Sequence, residues 1–179
     1  MKKWELLSSK YLFTRKPWLT IREDRVKLNK GLIMDGYYVF EYPDWATVLA
    51  IDTEGYFIMI QQYRHALGEI SYELSAGVCE DEDQDHLASA QRELLEETGY
   101  GGGEWKLWTV NSANPGTHTN LTYCYIAVGV EKIQEQKLDG TEEISVHRLS
   151  KAEVLELLER NQIRQSLHAA ALWKYIAQK

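Results

Sequence analysis

The stretch RELLEETGY, residues 92–100, sets three glutamates and an arginine on what its pattern predicts to be one helix. Glu93 and Glu97 stand a turn apart on one face, with Glu96 beside them. Like charges at that spacing oppose each other. They crowd the C-terminal end, where the macrodipole already disfavours negative charge, and no lysine follows in the last turn to offset it. Leu87, Leu94 and Leu95, with Ala90 or Gln91, form an apolar side fit to pack on a sheet. Two readings of the acidic side stand open: a solvated charged face, or carboxylates gripping a hard divalent cation. Oxygen donors of this kind suit magnesium or manganese. Arg92 is placed to pair with a neighbouring carboxylate and hold it.

Working outward, Asp85 is the expected N-cap, the helix runs from about Leu87 to Thr98, and Gly99 is its left-handed stop. ATVLAI (46–51), the turn DTEG and the β-rich YFIMIQQY (56–63) predict a hairpin. YELSAG (72–77) reads as a strand closed by Gly77. LWTVNS (107–112) and LTYCYIAVGV (121–130) read as strands flanking the loop ANPGTHTN, and EISVHRL (143–149) as another. Ser150 and Glu153 form a capping box for a helix to about Arg160, and Ser166 opens a last one. Near the start, PWLTIREDRVKL (17–28) and YYVFEY (37–42) have strand character. The order of elements predicts an α+β fold, with residues 1–44 as N-terminal strands and 45–179 as the main domain.

A chain of 179 residues has the length for a sizeable core. Its net charge of −7 argues against a nucleic-acid surface or an anionic membrane, either of which wants a basic face. Nothing approaches a membrane span or a signal peptide, so a cytoplasmic location is expected. Cys79 and Cys124 match no zinc pattern and no disulfide framework, and read as buried small side chains.

RELLEETGY resembles the second half of the Nudix box, G-x5-E-x7-R-E-U-x-E-E-x-G-U, with U a bulky apolar residue. Arg92, Glu93, Leu94, Glu96, Glu97 and Gly99 match, Tyr100 takes the last U, and Gly77 supplies the opening glycine. The resemblance implies a mixed β-sheet sandwiched between helices, with a small N-terminal antiparallel sheet. It also implies a loop–helix–loop in which Glu93, Glu96 and Glu97 bind Mg2+ (or Mn2+), Glu96 and Arg92 serve catalysis, and the Ala76 carbonyl adds a ligand. One departure stands out: the spacing from Gly77 to Arg92 is one residue longer than the pattern, and Gln84 stands where its first glutamate belongs. Glu82, Asp83 or Asp85 could approach the vacated place.

QQYRHALGEISYELSAG (61–77) resembles the signature of the ADP-ribose pyrophosphatase branch, with Ser75 where proline is usual. That likeness implies that Arg64 contacts a phosphate or the terminal sugar and that Glu73 orders the site. SANPGTHTN (112–120) matches the branch's loop in part. Gly116 and His118 become substrate-binding candidates, and Asn120 stands where a glutamate is common. In LDGTEEISVHRL (138–149), Glu142 is the implied general base, with Glu143 and Asp139 as alternatives. Trp18 falls where dimeric relatives stack an aromatic on the base, which implies a homodimer. The activity implied is metal-dependent hydrolysis of ADP-ribose or a related nucleoside diphosphate sugar. A Nudix enzyme acting on GDP-mannose or nucleoside triphosphates, and a non-catalytic nucleotide-binding domain, are the alternatives.

Overall fold

The computed structural model describes residues 2–178 and divides the chain into two units. The first comprises residues 1–43 and 112–121. Its antiparallel sheet runs β1 (Glu5–Arg15), β2 (Leu19–Lys27) and β3 (Ile33–Glu41) in sequence order. β1 is a strand the sequence did not announce: ELLSSKYLFTR has no clean alternation, and every one of its residues is exposed. Trp18 sits in the hairpin turn rather than in a strand, and is 71% exposed. Buried Asp24 is satisfied by Arg22 at 3.0 Å and Ser9 at 2.6 Å. Residues 112–121 join this unit through Phe40, whose N–H donates to Thr117 O and whose carbonyl accepts from Thr119 N.

The second unit holds residues 44–111 and 122–179. Its sheet is built on β4 (Trp45–Asp52), β5 (Phe57–Arg64), β10 (Thr122–Lys132) and β11 (Ile144–Leu149), in the order β11-β5-β4-β10. β4 and β10 run parallel, and the other pairings are antiparallel. β4 and β5 pair directly only at Ala50–Ile51 with Phe57–Ile58. Beyond that they part, and the next segment fills both vacated edges. β6 (Glu69–Glu73) pairs with β5, and β7 (Ser75–Val78) pairs with β4. The single strand expected over 72–77 is thus two, broken at Leu74, because the chain changes partners there. β8 (Tyr100–Gly101) and β9 (Glu104–Asn111) edge β10.

Helices cover both faces, as the sandwich expectation requires. On one side α1 (His86–Thr98) lays Ala90 and Leu94 against Ala46, Val48 and Ala50 of β4. On the other, α2 (Lys151–Glu159) and α3 (Ser166–Ala177) bring Val154, Leu158, Ala171 and Leu172 onto Leu49 and Ile51. β4 therefore serves two cores by strict alternation. β10 does the same until a register shift between Val128 and Val130, where Gly129 at φ 78 turns Val130 to the α1 side with Ala127. Leu94 is fully buried, and its truncation to alanine costs about 2–5 kcal/mol. Cys124 lies in the core as expected, whereas Cys79 is only half-buried. No helix among the described residues is long and apolar enough to cross a membrane.

Candidate active site

α1 begins and ends on the residues that should cap it. Asp85 accepts from Ala88 N at 2.8 Å, and Gly99 at φ 75 donates to Leu95 O at 2.9 Å. These caps set the rotation that buries Leu94, and with it the rotation that turns Glu93 and Glu97 toward β7. Glu97 is only 3% exposed, and its Oε2 accepts from the Ala76 N–H at 3.1 Å. Burial pushes its carboxyl up to about 8, and the neighbouring Glu93 charge adds to the rise. Glu93 is lifted by burial to about 7, although its Oε1 accepts from Arg92 Nη1 at 2.8 Å. Glu96 is more exposed and accepts from the same nitrogen at 3.3 Å.

Gly77 makes this packing possible. A Cβ there would lie 2.1 Å from the Glu93 carboxyl carbon and Oε1, so the glutamate occupies the room that a missing side chain leaves. Arg92 is spent on every edge. It forks onto Asp83 at 3.2 and 2.9 Å, donates to Val78 O at 3.0 Å and holds Glu93 and Glu96. The Asp83 hydrogen bonds raise the guanidinium pKa, and Arg92 pulls the Asp83 carboxyl down to about 2. Of the three acids that could approach the vacated position, Asp85 is used as the cap, Glu82 is exposed, and Asp83 makes the contact. Gln84 is exposed.

Glu142 lies on the exposed stretch between β10 and β11, where its Oε2 accepts from Asp139 N at 2.9 Å. Its charge reaches the buried pair, raising both Glu93 and Glu97. Arg64 and Glu73 form a two-pronged pair at 2.8 and 2.5 Å, and Glu73 is 2% exposed. Arg64 also feels the Glu97 charge. Two contributors escaped sequence reading. His168, on α3, accepts the Leu74 N–H at its Nδ1 over 3.3 Å and stands 4.0 Å from Glu73 Oε2. Burial drives its pKa down to about 4, so it is a neutral acceptor at the strand break. Its only signal was a lone polar residue on the apolar side of α3. Gln136, which had no signal, donates to Glu97 O at 2.6 Å and Ile144 O at 3.2 Å.

The structure thus gathers Glu93, Glu96, Glu97, Arg92, Ala76 and Gly77 at one end of α1, with Arg64 and Glu142 in electrostatic reach and Glu73 joined through Arg64. Trp18, Gly116 and His118 belong to the first unit. There Gly116 O accepts from the Tyr37 hydroxyl, and the His118 ring lies 5.8 and 5.0 Å from the rings of Phe40 and Tyr42. Buried His118 Nδ1 and Asn120 Oδ1 have no hydrogen-bond partner.

Among the described residues no group of three His, Cys, Asp or Glu side chains is arranged to hold a metal ion. The donors nevertheless fit a hard cation. Buried Glu97 and part-buried Glu93 are both lifted, Glu97 in part by the Glu93 charge, their donor atoms are oxygens, and a glycine clears the space. Magnesium dehydrates reluctantly and keeps several waters, so it needs no all-protein cage.

Residues 42–170 match the NUDIX domain family, and residues 4–40 match the nucleoside diphosphate sugar hydrolase N-terminal domain. The chain is similar to an ADP-ribose pyrophosphatase of Bacillus subtilis, with 28% identity over 75% of this chain and 72% of that one. It is similar to a methanol dehydrogenase activator of Bacillus methanolicus, with 31% identity over 72% and 69%. A third relative is an ADP-ribose pyrophosphatase of Mycobacterium tuberculosis, 30% identical over 72% of this chain and 61% of that one. The crystal structure of an ADP compounds hydrolase superposes with a TM-score of 0.83 at 19% identity, covering 97% of this chain and 92% of that one.

Proposed function

The chain belongs to the Nudix domain family, and from that membership we propose that it is a pyrophosphohydrolase that cleaves ADP-ribose or a related nucleoside diphosphate sugar. The observation that carries this reading is the Glu93–Glu97 pair: two buried carboxyls, both lifted, beside the glycine that gives them room. Glu93, Glu97 and Glu96, with the Ala76 carbonyl, would hold Mg2+ or Mn2+, which supplies positive charge to a diphosphate and makes a water more acidic. Arg92 keeps Glu93 oriented, itself anchored by Asp83. Arg64, pre-aligned by Glu73, binds a phosphate or sugar hydroxyl.

Glu142 accepts the proton of the attacking water. The water oxygen bonds to phosphorus, the bridging P–O bond breaks, and the bridge oxygen leaves with the other phosphate. ADP-ribose would give AMP and ribose 5-phosphate. Asp83 meeting Arg92 in place of the missing box glutamate favours catalysis over a non-catalytic nucleotide-binding role. The name of the Bacillus subtilis relative favours ADP-ribose over GDP-mannose or nucleoside triphosphates.

We also propose that residues 1–44 are a dimerisation segment, because β1 leaves Leu6, Tyr11, Leu12 and Phe13 exposed on a sheet edge. Trp18, His118 and Gly116 are substrate-binding candidates within that unit. The test is release of phosphate from a panel of nucleotide sugars with Mg2+ or Mn2+, read after alkaline phosphatase. Turnover of ADP-ribose that vanishes with EDTA is expected. No turnover of any nucleotide sugar would overturn the proposal.

A further inference from the structure

The C-terminal turn of a helix has carbonyls with no partner inside the helix. In α1 the cap residue Gly99 N serves Leu95 O, and one short segment serves the carbonyls beyond it, Lys137 N at Glu96 O and Ile133 N and Gln134 N at Gly99 O. The Glu97 carbonyl is the exception to this main-chain pattern, because it is taken by the Gln136 side chain at 2.6 Å. The same nitrogen donates to Ile144 O, the first residue of β11, at 3.2 Å. A side-chain amide has two N–H bonds, and here each has its own carbonyl. One residue therefore pins both ends of the stretch 137–143 to the backbone of Glu97. Within that stretch Glu142 and Asp139 form a turn, with Glu142 N donating to Asp139 O at 3.0 Å and Asp139 N donating to Glu142 Oε2 at 2.9 Å.

We infer that Gln136 is a positioning residue: its amide clasps residues 137–143 shut over the end of α1 and so sets where Glu142 stands relative to Glu93 and Glu97. The inference rests on the hydrolase reading for its catalytic consequence. Its structural half, that this amide holds the stretch in place, stands apart from that reading. Main-chain bonds at Lys137, Ile133 and Gln134 hold the near end without Gln136, and the pairing of Ile144 with Gln62 of β5 holds the far end in the sheet, whereas the hydrogen bond that ties Ile144 across to α1 runs through this amide. Losing the clasp leaves the Glu142 end tied to the sheet but no longer to α1.

The test is Gln136→Met, which keeps the length and removes both donors, with Gln136→Asn, which is one methylene too short to span both carbonyls, as a second variant should the first fold poorly. Two measurements are made. Cleavage after Glu142 by a glutamate-specific protease in metal-free protein reports the stretch itself. Steady-state kinetics on ADP-ribose report the consequence. Expected are faster cleavage after Glu142 and a kcat lowered roughly tenfold to a hundredfold with little change in KM, at an unchanged circular dichroism spectrum. Cleavage at the wild-type rate overturns the inference, whatever the kinetics. Faster cleavage with wild-type kcat overturns its catalytic half. If wild-type protein hydrolyses no nucleotide sugar, the functional reading fails, and the cleavage rates still decide whether Gln136 is a clasp.

Discussion

In metal-free protein a rise in pH should loosen the fold at its buried carboxylates. Glu97 moves from an ordinary 4.5 to about 8 on folding, through burial and then its glutamate neighbour. The native state therefore keeps a proton that the unfolded chain has released. A group with a raised folded pKa contributes stability that is present at low pH and is lost as pH climbs through the folded value. The window needs choosing, because His168 acts in the opposite sense. Buried neutral at about 4, it costs stability as pH falls below its ordinary 6.5. Between pH 6.5 and 9 Glu97 dominates, joined by the last part of the Glu93 titration near 7 and, toward pH 9, by the raised thiols of Cys79 and Cys124.

One retained proton tilts stability by about 1.4 kcal/mol per pH unit. Glu97 alone then removes about 2 kcal/mol across that window. For a chain of this size the loss lowers Tm by roughly 4–8 °C. Thermal unfolding followed by circular dichroism in EDTA reads it directly. Adding Mg2+ or Mn2+ at pH 9 should recover the loss by binding the native state, and Glu97→Gln should flatten the slope. A Tm that is level from pH 6.5 to 9 in EDTA, or a slope that survives in Glu97→Gln, would refute the reasoning.

Three further outcomes follow from contacts already described. Gly77 has no left-handed φ, so alanine fits its backbone and tests only the 2.1 Å approach to Glu93; kcat should fall about a hundredfold in a folded protein, and wild-type turnover would show that Glu93 has room to spare. Arg64→Lys cannot reproduce the fork onto Glu73, so KM for ADP-ribose should rise about tenfold with a smaller change in kcat; an unchanged KM would remove Arg64 from substrate binding. Leu12→Glu with Phe13→Glu places charge on the apolar β1 edge and should give a monomer by light scattering where the wild type is a dimer, whereas a monomeric wild type would end the dimer proposal.

Where local chemistry fixes structure, the sequence was readable. Asp85 and Gly99 delimited α1, the Ser150–Glu153 box marked the start of α2, and the apolar side of α1 marked the face that packs on a sheet. β1 was not readable, because a strand with every residue exposed has no buried face to impose a period of two. The break at Leu74 was hidden for a different reason. YELSAG looks continuous along the chain, and only the parting of β4 from β5 divides it. At the acidic cluster, the residue types pointed to oxygen-donor chemistry, while three acids could approach one place. Geometry chose Asp83 once Asp85 was committed to the helix cap. His168 and Gln136 draw their meaning wholly from distant partners, Leu74 and Glu97, which no local pattern can supply.

The parallel pairing of Trp45–Asp52 with Thr122–Lys132 has a consequence for synthesis. As the chain leaves the ribosome, Ala46, Val48 and Ala50 emerge long before Ala127 and Val130, which complete their layer. Until residue 130 is out, the central strand keeps an open edge and an apolar face, the kind of surface that nascent chains lose to aggregation or shelter with chaperones. A polypeptide stopped short of Thr122 would therefore present bare hydrophobic strand rather than a partial enzyme.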